Sequence, residues 1–355
     1  MTDLAEQIVR TLRERAEGDV DTDRLLRGSR ARGRRRQLHR KVAAGAALSL
    51  VGALGLVGVT GSGLDGLAGR MPWTTATPAV VPPVPPRADG VPGAAADPAL
   101  VGADPQVLHL GVDPARARYL GWEVIRDQVE TVRLGVPGGE PVRVDVARSA
   151  ELPTSVEIDG VSFDATEPGP QTFDGRVRST AGMPRGLVKM WQPAPGLYAR
   201  AVMLHGDRAV LEQAVDALRW NEARRCAGPL RLDALPQRAR VTVCSVDITS
   251  YPRLVTARFA LQRADTETMS VQYRYASGAG AQTGADRTIA GRPAVLSAKG
   301  TRLELVGVPG TTVVADFGWP WHGEAPPHIF TEADATLLLA GVKFPADPTR
   351  PESWE

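Results

Sequence analysis

The chain has 355 residues, too many for one small domain, so two or three folded units are expected. Its 43% hydrophobic residues, 23% charged residues and net charge of +2 are ordinary for a globular protein and exclude a nucleic-acid partner for the chain as a whole. The charge is unevenly placed, because Arg24, Arg27, Arg30, Arg32, Arg34, Arg35, Arg36, Arg40 and Lys41 follow one another with no acidic residue between them.

In chain order, Leu4, Ile8 and Leu12 recur every fourth residue, with acids early and Arg13 and Arg15 late. This predicts a short helix ending near Gly18. Its apolar face is either a marginal surface feature or a docking face for a cytoplasmic protein partner. From Val42 to Val59 there is no charge, and none appears until Asp65. Roughly 20 uncharged residues cross a hydrocarbon core of about 30 Å, so residues 42–61 are expected to form a transmembrane helix with the lipid bilayer as its partner. The basic flank places residues 1–41 in the cytoplasm and the rest of the chain outside, which is the layout of a single-pass cell-membrane protein. The competing reading is a cleaved leader, since Arg35-Arg36-Gln37-Leu38 resembles a twin-arginine export signal.

Residues 62–103 are rich in Pro, Ala and Gly, including Val81-Pro-Pro-Val-Pro-Pro86, and read as a stiff extracytoplasmic linker. Alternating segments beyond it predict strands at 123–125, 130–134, 142–146, 156–158, 187–190 and 198–203, then a helix over 207–218 capped by Asp207. A second set follows at 241–246, 254–261, 269–275, 302–306 and 312–317, closed by a helix over 332–339 entered through Thr331. Ile158-Asp-Gly160 and Ile289-Ala-Gly291, Pro195-Gly196 and Pro309-Gly310, and Ala217-Leu-Arg-Trp220 and Gly341-Val-Lys-Phe344 occur in the same order in both sets. The expected fold class is therefore α+β. It consists of an N-terminal helical segment, one transmembrane helix, and two tandem related units at 104–227 and 228–348, each a mostly antiparallel sheet with one helix, before a tail at 349–355.

The two cysteines, Cys226 and Cys244, form either a disulfide or two buried thiols, and an exported location favours the disulfide. No His or Cys pair has the close spacing of a zinc site, and His322 and His328 are separated by a Pro-rich loop, so no metal and no cofactor is expected. There is no Gly-x-Ser-x-Gly elbow, phosphate loop or His-Glu-x-x-His, and His205-Gly206-Asp207 reads as a strand-to-helix turn. The chain is accordingly expected not to be an enzyme. Between Gly318 and Phe330 lies a long loop carrying Trp319, Trp321, His322 and His328. Its aromatics either hold an envelope ligand or protein partner, or pack over a sheet edge.

The order of Arg-rich leader, Ala/Gly-rich span, Pro-rich spacer and outer domain resembles the uncharacterised type II membrane proteins of high-GC Gram-positive bacteria. It is also similar to membrane-anchored anti-sigma factors, without their zinc-binding His and Cys cluster, as Met1 to Lys41 contain His39 and no cysteine. The resulting expectation is a membrane-tethered binding or sensor module of the cell envelope. The alternatives are a regulator holding a cytoplasmic partner through residues 1–41 and an exported enzyme.

Overall fold

The structure, a computed structural model, describes residues 81–354 apart from 159–160, 168–170, 181–185, 265–267, 298–299 and 319–329. The described residues belong to one unit, Pro78–Glu355. The first half contributes β1 (Val107–Leu108), β2 (Gly111–Val112), β3 (Arg118–Ile125), β4 (Val129–Gly135), β5 (Val142–Ala147), β6 (Ser155–Ile158), β7 (Val161–Asp164), β8 (Asp174–Ser179), β9 (Leu187–Ala194) and β10 (Leu197–Met203). It ends with helix α1 (Arg208–Asp216), β11 (Leu218–Arg219) and β12 (Arg224–Arg225). The second half contributes β13 (Arg231–Leu232), β14 (Arg240–Asp247), β15 (Leu254–Gln262), β16 (Thr268–Ala276), β17 (Arg287–Ile289), β18 (Arg292–Leu296), β19 (Arg302–Leu305), β20 (Thr311–Asp316), helix α2 (Glu332–Ala340) and β21 (Val342–Lys343).

Thirteen of these strands form one sheet, in the order β17-β18-β19-β20-β16-β15-β14-β3-β4-β5-β10-β9-β8. Every pairing in it is antiparallel. In each half three strands meander away from the middle; the chain then moves to the outer edge and works back, so that its last long strand lies beside the third. The halves join where β3 pairs with β14, with Gly121 opposite Asp247 and Glu123 opposite Ser245. A side chain at Gly121 would bring its Cβ within 2.7 Å of the Val246 carbonyl oxygen, so only a bare Cα allows this approach. Arg133 of the first half reaches Asp247 of the second at 2.7 Å across the same seam.

After the last long strand of each half comes a nine-residue helix. Asp207 caps α1 by accepting from the Ala209 N–H at 3.0 Å, while Thr331 and Asp334 form a reciprocal capping box on α2. Each helix delivers a two-residue strand to the segment preceding the first long strand of its own half, pairing β11 with β2 and β21 with β13. The local bonding repeats as well. The Asp113 N–H donates to the Ala217 carbonyl and the Asp233 N–H to the Gly341 carbonyl, and the same two aspartates pair with Arg219 and Lys343.

One face of the sheet carries a hydrophobic core that runs through both halves under the helices, including Val124, Val144, Leu211, Val255, Tyr273 and Leu338. A separate cluster lies on the opposite face of the first half only. There the β6–β7 hairpin lays Val156, Ile158 and Phe163 over Val188, Met190 and Val202. Each such side chain contributes about 1.5–3 kcal/mol when fully buried.

Three expectations are corrected. The class is not α+β but mostly β, because strands that the apolar alternation does not mark, such as Asp174–Ser179 and Arg287–Ile289, extend the sheet while the described α-helices are two of nine residues each. The two units do not carry separate sheets, since β3 and β14 make the sheet continuous. No described helix is long and apolar enough to cross a membrane, and the expected span, 42–61, lies outside the described residues, so the single-pass cell-membrane assignment is withdrawn. Residues 81–103, grouped above with the linker, lie along the first half. Ala88 and Ala94 are buried, the Pro86 carbonyl accepts from the Arg225 N–H at 2.8 Å, and the Ala94 N–H donates to the His109 carbonyl at 2.7 Å.

Candidate functional site

The inter-half linker crosses the core face of the sheet close to the seam. Cys226 in this linker and Cys244 in β14 form the expected disulfide, with a Cα–Cα distance of 6.3 Å. The bond ties the linker to the sheet and fixes one wall of a cleft of about 670 Å³. Leu230, Val241 and Trp354 form its buried floor, Phe259 is half-buried beside them, and Leu235 is 39% exposed at the rim. A smaller recess of about 230 Å³ continues past Val84, Pro86 and Pro351 and shares Trp354, so the two form an elongated groove.

Three arginines surround this apolar floor. Arg87 lies on the arm that bridges to Arg224, and its guanidinium is 3.9 Å from Glu222. Arg225 is exposed and has no ion-pair partner among the described residues. Arg231 is exposed and acts through space on Asp233, whose carboxylate is already engaged by Lys343, and the hydrogen bond from Lys343 holds the Asp233 pKa below its ordinary value. Two further acids line the groove: Asp104, which accepts from the Gln106 N–H at 2.9 Å, and the exposed Glu352 of the smaller recess. Arg87, Arg225 and Arg231 thus face Asp104, Asp233 and Glu352 around the groove.

Two polar clusters elsewhere are structural in character. Asp145 on β5 and Arg200 on β10 stand opposite one another with side chains that are 0% exposed, joined at 2.6 Å. Arg143 and Thr131 also bond Asp145, each at 2.8 Å, and Arg200 donates to the Pro153 carbonyl at the foot of the β6–β7 hairpin. Burial alone would raise the Asp145 carboxyl; the Arg143 and Arg200 guanidinia and the Thr131 hydroxyl outweigh it and hold its pKa below the ordinary 3.8. On the core face, the buried Glu130 carboxylate accepts from the Gly102 and His109 N–H groups at 2.8 and 2.6 Å and meets the His109 ring at 2.6 Å. This pins the segments on either side of β1 to β4.

Of the residues singled out in the sequence, Cys226 and Cys244 meet as expected. Trp319, Trp321, His322 and His328, and likewise Leu4, Ile8 and Leu12, lie outside the described residues. The groove residues went unnoticed in the sequence. Their available signal was the cluster Arg224-Arg225-Cys226 followed by Arg231 in an otherwise balanced stretch.

No family model matches the sequence, and no curated protein matches it. Among solved structures, the crystal structure of MucB in complex with MucA(peri) is similar, with 69% of this chain and 96% of that chain covered, 11% identity and a TM-score of 0.22. A likeness that slight carries no argument about fold, partner or activity.

Proposed function

We propose that this chain is a non-catalytic binding module that works in an oxidising, extracytoplasmic compartment such as the cell envelope and holds its ligand in the seam groove. The observation that carries this reading is the groove itself, in which an apolar floor of Leu230, Val241 and Trp354 is ringed by charged side chains of both signs. Concave sites with an apolar lining and a few convergent charged groups are where ligands are held. The disulfide supports both parts of the proposal, because such bonds persist in oxidising compartments and this one braces a groove wall.

The test is hydrogen exchange of the full chain with three defined probes: an alternating Glu-Leu heptapeptide, decanoate, and a linear N-acetylglucosamine tetramer. At least one is expected to slow exchange over residues 86–88, 104–107 and 225–235. If none does, or if exchange slows only in the β6–β7 hairpin on the far side of the sheet, the groove is not a binding site and the reading fails.

A further inference from the structure

We propose that the exposed ridge of the proline-rich segment, formed by Val81, Val84 and Arg87, docks a partner protein whose groove is lined with aromatic side chains and carries a carboxylate at one end. Prolines at 82, 83, 85 and 86 fix φ at about −65° and push the residues before them into extended conformations. The result is polyproline II, whose repeat is three residues. The fold presents the segment with that period. Val81 is 74% exposed, Val84 49% and the Arg87 side chain 69%, whereas Pro83, Pro85 and Ala88 are buried. At about 3.1 Å per residue the ridge runs roughly 19 Å. Its last turn is tied to the body of the protein. The Pro86 carbonyl accepts from the Arg225 N–H at 2.8 Å, the Ala88 N–H donates to the Ala223 carbonyl at 3.0 Å, and Arg87 bridges to Arg224. A partner therefore meets a strip that is already ordered and loses little conformational entropy on binding.

The chemistry of the strip selects the kind of partner. Four of the six residues from Val81 to Pro86 have no N–H, so the strip cannot add itself to a partner's sheet as a strand. It offers instead an apolar ridge flanked by the half-buried Pro82 and Pro86, on a backbone that makes no hydrogen bonds within itself. Flat aromatic rings pack against such ridges, and a Trp N–H or Tyr O–H between them reaches the carbonyls. The cation at one end fixes the direction of docking. Glu222 lies 3.9 Å from Arg87 and is also bound by Arg224, so the exposed Arg87 guanidinium has donors to spare for a carboxylate from outside. Val84 and Pro86 also border the smaller recess, and the ridge is presented whatever the groove holds.

The experiment is fluorescence anisotropy of the full chain against a panel of labelled SH3 and WW domains, which serve as probes because their grooves are lined with aromatic side chains. At least one is expected to bind. For that domain, Val81→Ser combined with Val84→Ser is expected to weaken binding about tenfold. Arg87→Glu is expected to weaken it about fivefold, with the loss shrinking as salt rises. Val308→Ser, at an exposed valine of the second half, should leave the affinity within about twofold. These substitutions replace exposed side chains, so thermal unfolding of each variant should match the parent. Binding by none of the domains, or binding that survives the double valine change, overturns the proposal. So does binding of the free heptapeptide Val81 to Arg87 by a domain that ignores the full chain, since the body of the protein then hides the ridge. Self-association in sedimentation that disappears in the double valine variant overturns it too, because the occupant is then a second copy of this chain.

Discussion

The two halves of this protein follow the same path and bury the same side of their sheets, yet they treat the other side in opposite ways. In the first half the β6–β7 hairpin folds over that side and buries the Asp145–Arg200 pair together with Val156, Ile158 and Phe163. In the second half the matching strand pair places Gln272 opposite Val314, and Arg258, Gln272 and Arg274 are exposed to solvent. An antiparallel sheet tolerates either arrangement, because one packed face is enough to hold it. The difference teaches that the shared core supplies the common architecture, while an inserted hairpin decides whether a charged pair on the far side is a solvated surface feature or a buried clamp. It also explains how the sheet ends are protected. β17 is only three residues long, and β8 sets Asp174, Arg176 and Arg178 along the opposite edge, both devices that discourage pairing with other chains.

The sharpest way to break this comparison is to remove one member of the buried pair. Asp145→Ala leaves Arg200 charged without its carboxylate and is expected to cost about 3–5 kcal/mol in urea unfolding, against less than about 0.5 kcal/mol for Gln272→Ala at the open position. Comparable losses at both sites would mean that the hairpin does not set the environment. Replacing Cys226 and Cys244 together by Ser frees a connection of 18 residues and should cost about 3 kcal/mol, with hydrogen exchange rising in the linker ahead of either half. A milder form of the first test is acidification. Because the folded Asp145 titrates below 3.8, its stabilisation is fully present above that value and is lost as pH falls through the lower folded value. Exchange in the β6–β7 hairpin should therefore accelerate in acid before exchange in β15 and β16 does, and the reverse order would contradict the clamp. Helix caps provide a smaller matched pair, since Asp207→Ala and Thr331→Ala should each cost about 1 kcal/mol. The smallest effect belongs to Arg258→Ala and Arg274→Ala, each expected within about 0.5 kcal/mol of the parent by thermal unfolding.

Much of the sheet was legible because its central strands obey simple local rules. Val142, Val144 and Val146 alternate with polar residues, and the observed β5 contains all three. Asp207 and Thr331 announced their helices through capping chemistry that acts within three residues. The outer strands were less visible. Asp174–Ser179 has a single apolar side chain, Val177, because an edge strand has little on which to bury others. The groove was not legible as a site. Its arginines come from three segments, near 87, 225 and 231, and its floor draws on Val241 and on Trp354 at the far end of the chain.

By itself the sequence determined the local elements that depend on neighbours a few residues apart: the apolar alternation of the inner strands, the two caps, and a cysteine pair separated by 18 residues. Only the tertiary structure decided that β3 and β14 join the halves into one sheet, that Asp145 and Arg200 meet beneath a hairpin, and that arginines distant in the chain surround one groove. The reason is physical. Alternation shows that a strand has a buried face, but its backbone hydrogen bonds are the same whichever partner it takes, so the choice rests on packing and electrostatics between segments remote in sequence.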